Sequence, residues 1–433
     1  MRPCMTTTTR SSLLLVLAAT GACSSATKPP PPPAMCTQNA TACTLFPSGA
    51  TEQTIQDAFA SAKAGWTFEF AAGTFSFTNE IVIAQKNITV RGAGMDQTIL
   101  DFSKQVAGPE AFFGQKVDGI LLESFDVRDS KGNAIKILGT DGVTFRKVKT
   151  EWTGAEPAMH GGYGLYPVQS KHVLIEGCVA TGASDSGVYV GQSQFVVMRN
   201  NDVHDNVGGI EIENTYDADI HDNDAHDNSA GILVFDMPDL QQIGGHGIRI
   251  FANKIHDNNT KNFAAEGNAV GLVPRGTGFL VMANKDVEVF GNQFANNKTG
   301  HAAILSYYAT QREIKDMSYY PLPSKLNFHD NTFAGGGDAP DLTKMFGLLL
   351  ITGTSTFGGV VPAVIYDGIV DPMTGTGPMN NLMEICVKAP SFANIHLDQV
   401  DMMNPTLEGI ASMDATPYDC TRAPLPAVSW PGL

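Results

Sequence analysis

Apolar residues recur in pairs two apart, and each pair returns at a fixed place in a longer cycle. The first series is Ile120 and Leu122, Val143 and Phe145, Val173 and Ile175, Val196 and Met198, Ala218 and Ile220, Ile248 and Ile250, Val287 and Val289. Alternation of period two predicts a strand in every cycle. A second series keeps a constant offset from the first: Leu165 and Pro167, Val188 and Val190, Ile210 and Ile212, Ile232 and Val234. Cycles aligned this way begin at Asp118, Asp141, Lys171, Gln194, Tyr216, His246 and Lys285, and the shortest steps are 23 and 22 residues. That length suits one turn of three strands, and longer steps are the same turn with an insertion. The pattern predicts an all-β chain, a single-stranded parallel β-helix, right-handed by the rule for parallel crossovers. Like residues of successive turns then stack at the strand spacing, about 4.8 Å.

A stack of this kind needs capped edges. "TEQTIQDAFASAKAG" (51–65) sets Ile55, Ala58, Phe59 and Ala62 on one helical face ahead of a closing glycine, which predicts an N-terminal capping helix. "WTFEFAAGTFSF" and "KNITVRGAGMDQTIL" read as the first coils, "FGLLLITGT" and "FANIHLDQV" as late ones. The β-helix is placed at 44–351, with late coils and a C-terminal cap at 352–433. Insertions fall at 152–162, 236–245, 259–267 and 307–325. Extra loops on one flank of a solenoid commonly build its cleft. Tyr307, Tyr308, Tyr319 and Tyr320 either serve such a cleft or pack the last loop down.

Superposed coils put Asn201, Asn223, Asn253, Asn292 and Asn331 in one column, with Cys178 and Val148 at that place in earlier turns. Asparagine tolerates the left-handed bend between strands, and its amide bonds to the amides above and below. The column reads as a structural ladder, and Cys178 as a small buried residue rather than a nucleophile. Three places on come His204, His226 and His256, each followed by Asp-Asn: Asp205 and Asn206, Asp227 and Asn228, Asp257 and Asn258. This His-Asp-Asn phrase reads as a hydrogen-bonded turn on the outer surface. The competing reading, a metal site, needs donors that converge at about 2.0–2.1 Å, whereas side chains of one column leave the coil nearly parallel. No metal ligand is assigned.

Composition changes the picture at the N-terminus. Arg2 and Arg10, the apolar run Leu13–Ala19 and "TGAC" ending at Cys23 look like a bacterial lipoprotein signal over 1–22, with lipid attachment at Cys23. Plain secretion is the alternative, since Thr20 is not the usual large aliphatic residue. Ser24 lacks the aspartate of inner-membrane retention, which points to the cell envelope at the outer membrane, held through the Cys23 anchor alone. Residues 23–43 form a linker whose prolines 29–33 make a semi-rigid spacer. Cys36 with Cys43 and Cys386 with Cys420 are candidate disulfides in an oxidising compartment. The chain has no CxxCH and so no c-type haem of its own. A net charge of −16 argues against nucleic acid and anionic lipid surfaces as partners, and disfavours a polyanionic substrate unless calcium or a local basic patch offsets it.

Candidate chemistry sits on the outward positions of the second strand. One column runs Lys136, Tyr166, Tyr189, Glu211, Leu233; its neighbour holds Gly191, Glu213 and Phe235; the turn beyond holds Gln169, Gln192, Asn214 and Asp236. Tyrosines beside carboxylates and amides suit carbohydrate, because rings stack on sugar faces while polar tips bond hydroxyls. Glu211 and Glu213 are the catalytic candidates, sharing a face about 6–7 Å apart. Tyr166, Gln169, Tyr189, Gln192, Asn214, Asp236 and Trp152, which heads the first insertion, are the substrate-binding candidates. The other reading of this face is a solvated strand surface with one aromatic pair.

The run "DGVTFRKVKTEWTG…YGLYPVQSKHVLIEGCVATGASDSGVYVGQSQFVVMRNN…GGIEIENT…AGILVFDMP", with "GNAVGLVPRGTGFLVMANKDVEVF" and "YDC…PLPAVS", resembles a family of exported bacterial right-handed parallel β-helix repeat proteins. The resemblance covers most of the chain past the linker. It implies a pectin-lyase-like solenoid, a lipoprotein or secretory signal, and a neighbouring exported dihaem c-type cytochrome lipoprotein as partner; it implies no activity. A more distant likeness is to mannuronan epimerases and related carbohydrate-active β-helices. That family carries Tyr-Gly and then an Asp-Pro-His-Asp stretch. In "YGLYPVQS" Tyr163, Gly164 and Pro167 match, but Tyr166, Val168 and Gln169 stand where Asp, His and Asp would be. Val168 cannot transfer a proton, so no catalytic residue is carried over.

Two functions stay open. One is a carbohydrate- or protein-binding scaffold of the envelope, acting with the exported cytochrome. The other is a polysaccharide lyase or glycoside hydrolase using the Tyr166, Tyr189, Glu211 and Glu213 face. A cofactor enters only as calcium, and only with a uronate substrate. An adhesin passenger lacks a C-terminal membrane-barrel pattern.

Overall fold

The computed structural model describes Cys36 and residues 42–352, 357–399 and 410–433. The signal, Cys23 and the proline run lie outside the described residues. Strands Lys171–Glu176, Gln194–Arg199, Tyr216–His221, His246–Phe251 and Lys285–Phe290 stack in parallel, first residue on first residue, as the aligned cycles require. Each is followed by a short strand, such as Asp202–His204, Asp224–His226 or Lys254–His256, that stacks on its counterparts. Both columns belong to a sheet of twenty strands. The third strand of each coil lies in a separate sheet of eleven, which includes Tyr163–Val168, Ser186–Gly191, Gly208–Glu213, Ala230–Phe235, Thr277–Met282 and Gly300–Leu305. Inward residues of the three faces form one continuous apolar core running along the solenoid.

Corners repeat a single device. At the first bend a left-handed residue (Asn200, Asp222, Ala252, Gly291 or Asp330) precedes the ladder asparagine, so the ladder residue itself does not take the left-handed conformation expected of it. Its amide turns inward instead. Asn223 accepts from the Asn201 N–H at 3.0 Å and from the Asn201 amide at 2.8 Å, and donates to the Met198 carbonyl at 3.2 Å and to Asn253 at 2.9 Å. Cys178 occupies the same column: its N–H donates to Asn201 at 2.9 Å and its sulfur accepts from the Val148 N–H at 3.5 Å. It is buried and its thiol is pushed up to about 12 by that burial.

The His-Asp-Asn phrase spans the second bend, and each letter has its own task. Histidine ends the short strand, aspartate takes the left-handed φ (Asp205, Asp227, Asp257), and asparagine points inward. Asn206, Asn228, Asn258 and Asn297 form a second, fully buried ladder with the bonds of the first. The phrase is therefore only partly an outer-surface turn. Glycines make room for it: a Cβ on Gly187, Gly209 or Gly231 would lie 2.7–2.8 Å from the amide nitrogen of Asn206, Asn228 or Asn258. Outside, the imidazoles of His204, His226 and His256 stack at 5.1 and 5.2 Å, each with Nδ1 on the following aspartate. Nε2 of His226 and of His256 meets Asp202 and Asp224. Rings stacked face to face and tied to carboxylates do not converge on a metal, and no metal-binding group of His, Cys, Asp or Glu occurs among the described residues. At the third bend Ser170, Ser193 and Thr215 bond from coil to coil.

The ends differ from expectation in part. The cap is an α-helix at Glu52–Ala60, N-capped by Thr51, with Ile55 and Phe59 buried; it closes at Ser61, before the glycine. The first coils form as read, Thr67–Phe70 on Thr89–Arg91 and Gly73–Ser76 on Thr98–Asp101. "FGLLLIT" is not a strand: Met345–Thr352 is an α-helix. A run of aliphatic residues without alternation is equally a buried helix, and this one packs on Ile365, Ala393 and Ile395. Phe392–Asn394 does close the eleven-stranded sheet. Cysteines 36 and 43, and 386 and 420, are paired. From Cys420 the tail runs back over the outside of the larger sheet: the Leu425 N–H donates to Glu288 at 3.0 Å, the Val428 N–H to Asp219 at 3.1 Å, and Val428 packs on Leu174 and Val197.

Candidate functional site

Outward side chains of the eleven-stranded sheet change character along the solenoid. Lys136, Tyr166, Tyr189 and Glu211 lead into Leu233, Leu280 and Ala303, the register joining each to the next. The apolar half is buried under the loops that contribute Val270, Val273, Tyr307 and Tyr319. Tyr307 and Tyr319 pack edge to face at 5.4 Å, so these two hold a loop down, while Tyr308 and Tyr320 remain exposed. The polar half carries the chemistry.

Its centre is a group of three carboxyls and three phenols. Tyr163 and Tyr166 come from one strand, Asp185 from the bend before the next, which opens with Ser186 and carries Tyr189 further along, and Glu211 and Glu213 follow on the third. Ring centroids of Tyr163, Tyr166 and Tyr189 lie 4.6–5.0 Å apart. The Tyr189 hydroxyl donates to Glu213 at 2.6 Å, and Ser186 donates to Glu211. Glycines permit this packing. A Cβ on Gly191 would stand 2.3 Å from the Tyr189 oxygen, so its absence lets the ring lie along its own strand toward Glu213. Gly208 likewise leaves space beside the Ser186 hydroxyl, 2.7 Å from where its Cβ would be.

Burial dominates the electrostatics. Asp185 is 5% exposed and Glu211 3%. Burial, then the negative charge of Glu213, pushes Asp185 up to about 7 against the hydrogen bonds from Tyr163 and Asn268. Glu211 is raised well above the usual carboxylate range by burial and by the charges of Asp185 and Glu213. Glu213 is raised by burial, against the Tyr189 bond. Tyr166 moves up to about 12 through burial and the Glu213 charge. Lys136 lies 5.1 Å over the Tyr166 ring and pairs with Glu110 at 3.5 Å. Carboxyls packed with phenols and raised above their usual range make a unit suited to giving and taking protons.

An insertion reaches the cluster. Asn268, on the insertion that begins at 259, donates to Asp185 at 2.6 Å. This insertion and that at 152–162 face each other across a groove of about 770 Å³ lined by Trp152, His160, Asp205, Lys261 and Phe263. The 236–245 loop instead folds over the third bend. Asn214 spends its amide on Met237 and Gln242, Asp236 accepts from the N–H groups of Gly244 and Gly245, and both side chains are fully buried. Gln169 and Gln192 line a separate, smaller groove with Gln241 and Gln242. Trp152 is 8% exposed, with its indole N–H on the Ser130 carbonyl at 2.7 Å, so it is wall as much as surface.

Of the predicted site residues, the fold therefore brings together Tyr166, Tyr189, Glu211 and Glu213. It sets Trp152 in a groove that none of these four lines, Gln169 and Gln192 in a second one, and makes Asn214 and Asp236 anchors of a loop. Sequence reasoning missed Tyr163, Asp185, Ser186 and Asn268. Alternation from Tyr166 does not reach Tyr163, and Asp185 lies at a bend outside any column. Only the next coil's glycine, paired with Ser186, carries a signal.

Residues 111–339 match the family model described as a right handed beta helix region, more than half of the chain. No curated protein matches it. Among solved structures it is similar to the A-module of mannuronan C-5 epimerase AlgE4 from Azotobacter vinelandii, at 16% identity and TM-score 0.50, over 72% of this chain and 86% of that one. It is similar also to the AlgE6 A-module of that organism, at 17% identity and TM-score 0.38 over 66% and 90% of the chains. A third is pectate lyase Pel9A, at 12% and 0.41 over 67% and 79%. At such identities the likeness is one of fold.

Proposed function

This chain belongs to the right-handed β-helix family, and we propose that it binds a glycan on the outer face of its smaller sheet and acts on it by proton transfer. One observation carries this reading: Asp185, Glu211 and Glu213 are packed with three tyrosines on the outer face of the smaller sheet, where Asn268 of an insertion bonds to Asp185. A solenoid needs no such group for its fold, and burying carboxyls is costly. Perturbed acids in a cleft mark a candidate site.

Exposure divides the roles. Glu213, partly open to solvent and bonded to the Tyr189 hydroxyl, is the acid–base group that a substrate reaches. Glu211 and Asp185, nearly closed off and raised by burial and by the Glu213 charge, are positioning residues packed behind it. The partly open rings of Tyr163 and Tyr166 supply a stacking platform for sugar faces. The deep burial of Glu211 favours a second reading, a binding scaffold without turnover. A lipid anchor at Cys23, a cell-envelope address and an exported cytochrome partner accompany either reading as proposals supported by sequence alone.

The test is NMR of a polysaccharide panel, neutral and uronate-rich, incubated with the purified protein with and without calcium. New reducing ends, unsaturated sugars or inverted uronates are expected, lost in Glu213→Gln and reduced in Tyr189→Phe. Unchanged spectra with measurable binding leave the scaffold; unchanged spectra without binding remove the glycan reading.

A further inference from the structure

We infer that this site takes glycans without carboxylates, amino sugars above neutral ones, and turns uronates away. The inference rests on the glycan reading above and names its substrate class. Three carboxyls meet at the tyrosine platform, and Glu110 stands beside it through Lys136. Lys136 lies beside the Tyr166 ring but is neutralised by Glu110, and the other cations of the neighbourhood are committed elsewhere. The Arg312 guanidinium donates to the carbonyls of Gly267 and Asn268 at 2.8 and 3.4 Å, bracing the covering loop. Lys344 donates to the Gly271 carbonyl of the same loop. In the outer groove the exposed Lys261 is opposed by Asp205 and Glu156.

A sugar stacked on Tyr163 and Tyr166 brings its ring substituents to Glu213. A uronate there sets its carboxylate against Glu213 in a water-poor pocket, where like charges a few ångströms apart repel strongly. A hydroxyl accepts or donates without that penalty. An ammonium gains a charge-assisted hydrogen bond to Glu213 and offsets its charge. The whole-chain charge of −16 acts in the same direction at long range.

The experiment is calorimetric titration of the purified protein with size-matched oligomers of glucose, glucosamine and a uronic acid. It is run at low salt and near-neutral pH, each with and without calcium. The expected order is glucosamine, then glucose, with the uronate weaker than glucose by about tenfold or more. Added salt should erase the glucosamine preference, a readout that needs no variant. Glu213→Gln, with its melting checked, should narrow the gap between glucose and uronate. Uronate binding equal to or tighter than glucose, in either calcium arm, overturns the inference and leaves the glycan reading standing. Binding of none of the three removes both.

Discussion

Asp185→Asn should change how stability depends on pH, and the slope can be worked from the site. An aspartate ionises near 3.8 in the open chain, and Asp185 is pushed up to about 7 in the fold. Below 3.8 both states hold the proton and there is no penalty. From there to about 7 the unfolded chain releases a proton that the folded chain retains. Stability then falls as pH rises, by about 1.4 kcal/mol per pH unit, and by pH 7 roughly 4 kcal/mol has been lost. Asparagine cannot ionise, so the variant lacks this contribution. Whatever constant cost the amide brings through Asn268 and Tyr163 is the same at each pH. Urea unfolding of both proteins at steps from pH 5 to 7 should show the variant gaining about 2–3 kcal/mol relative to wild type across that range. Asp126, also pushed up to about 7 by its burial, stays in both proteins and cancels. Parallel curves would refute the claim that Asp185 holds its proton near neutrality.

Three further outcomes follow from the braces. Asn228→Ala removes the acceptor of the Asn206 N–H and amide and the donor to Val203 and Asn258, leaving buried partners unmet. A loss of about 3–5 kcal/mol in urea unfolding is expected; a loss under about 1 kcal/mol would deny the ladder its role. Cys178→Asn should be neutral or stabilising, because it extends the first ladder by a rung, and the native thiol should resist a thiol reagent until the protein unfolds. A destabilised variant, or fast labelling, would contradict this. Ending the chain after Thr421 takes away the N–H donors to Glu288 and Asp219 and uncovers Leu174 and Val197. Melting should drop by several degrees, with new hydrogen exchange confined to those strands; an unchanged melting curve would make the tail dispensable.

The sequence by itself determined the solenoid. Two apolar columns at constant offset allow one register, since a slip of one residue would turn every core side chain outward. The asparagine column was legible for the same reason: a position that must bond to its own copies repeats visibly. The inward turn of the second ladder was not, because asparagine looks alike inside and outside, and only the burial of Asn206, Asn228 and Asn258 distinguishes them. Nor was the helix at Met345–Thr352, whose aliphatic run has no period to read. At the site, column order brought Tyr166, Tyr189, Glu211 and Glu213 onto one face. The tertiary structure alone decided that Asp185 joins them from a bend and Asn268 from an insertion, that Asn214 and Asp236 turn aside to hold a loop, and that water is kept from Glu211. Stacking propagates what repeats, and a site is made where the repeat is interrupted, by contacts between insertions that share no period.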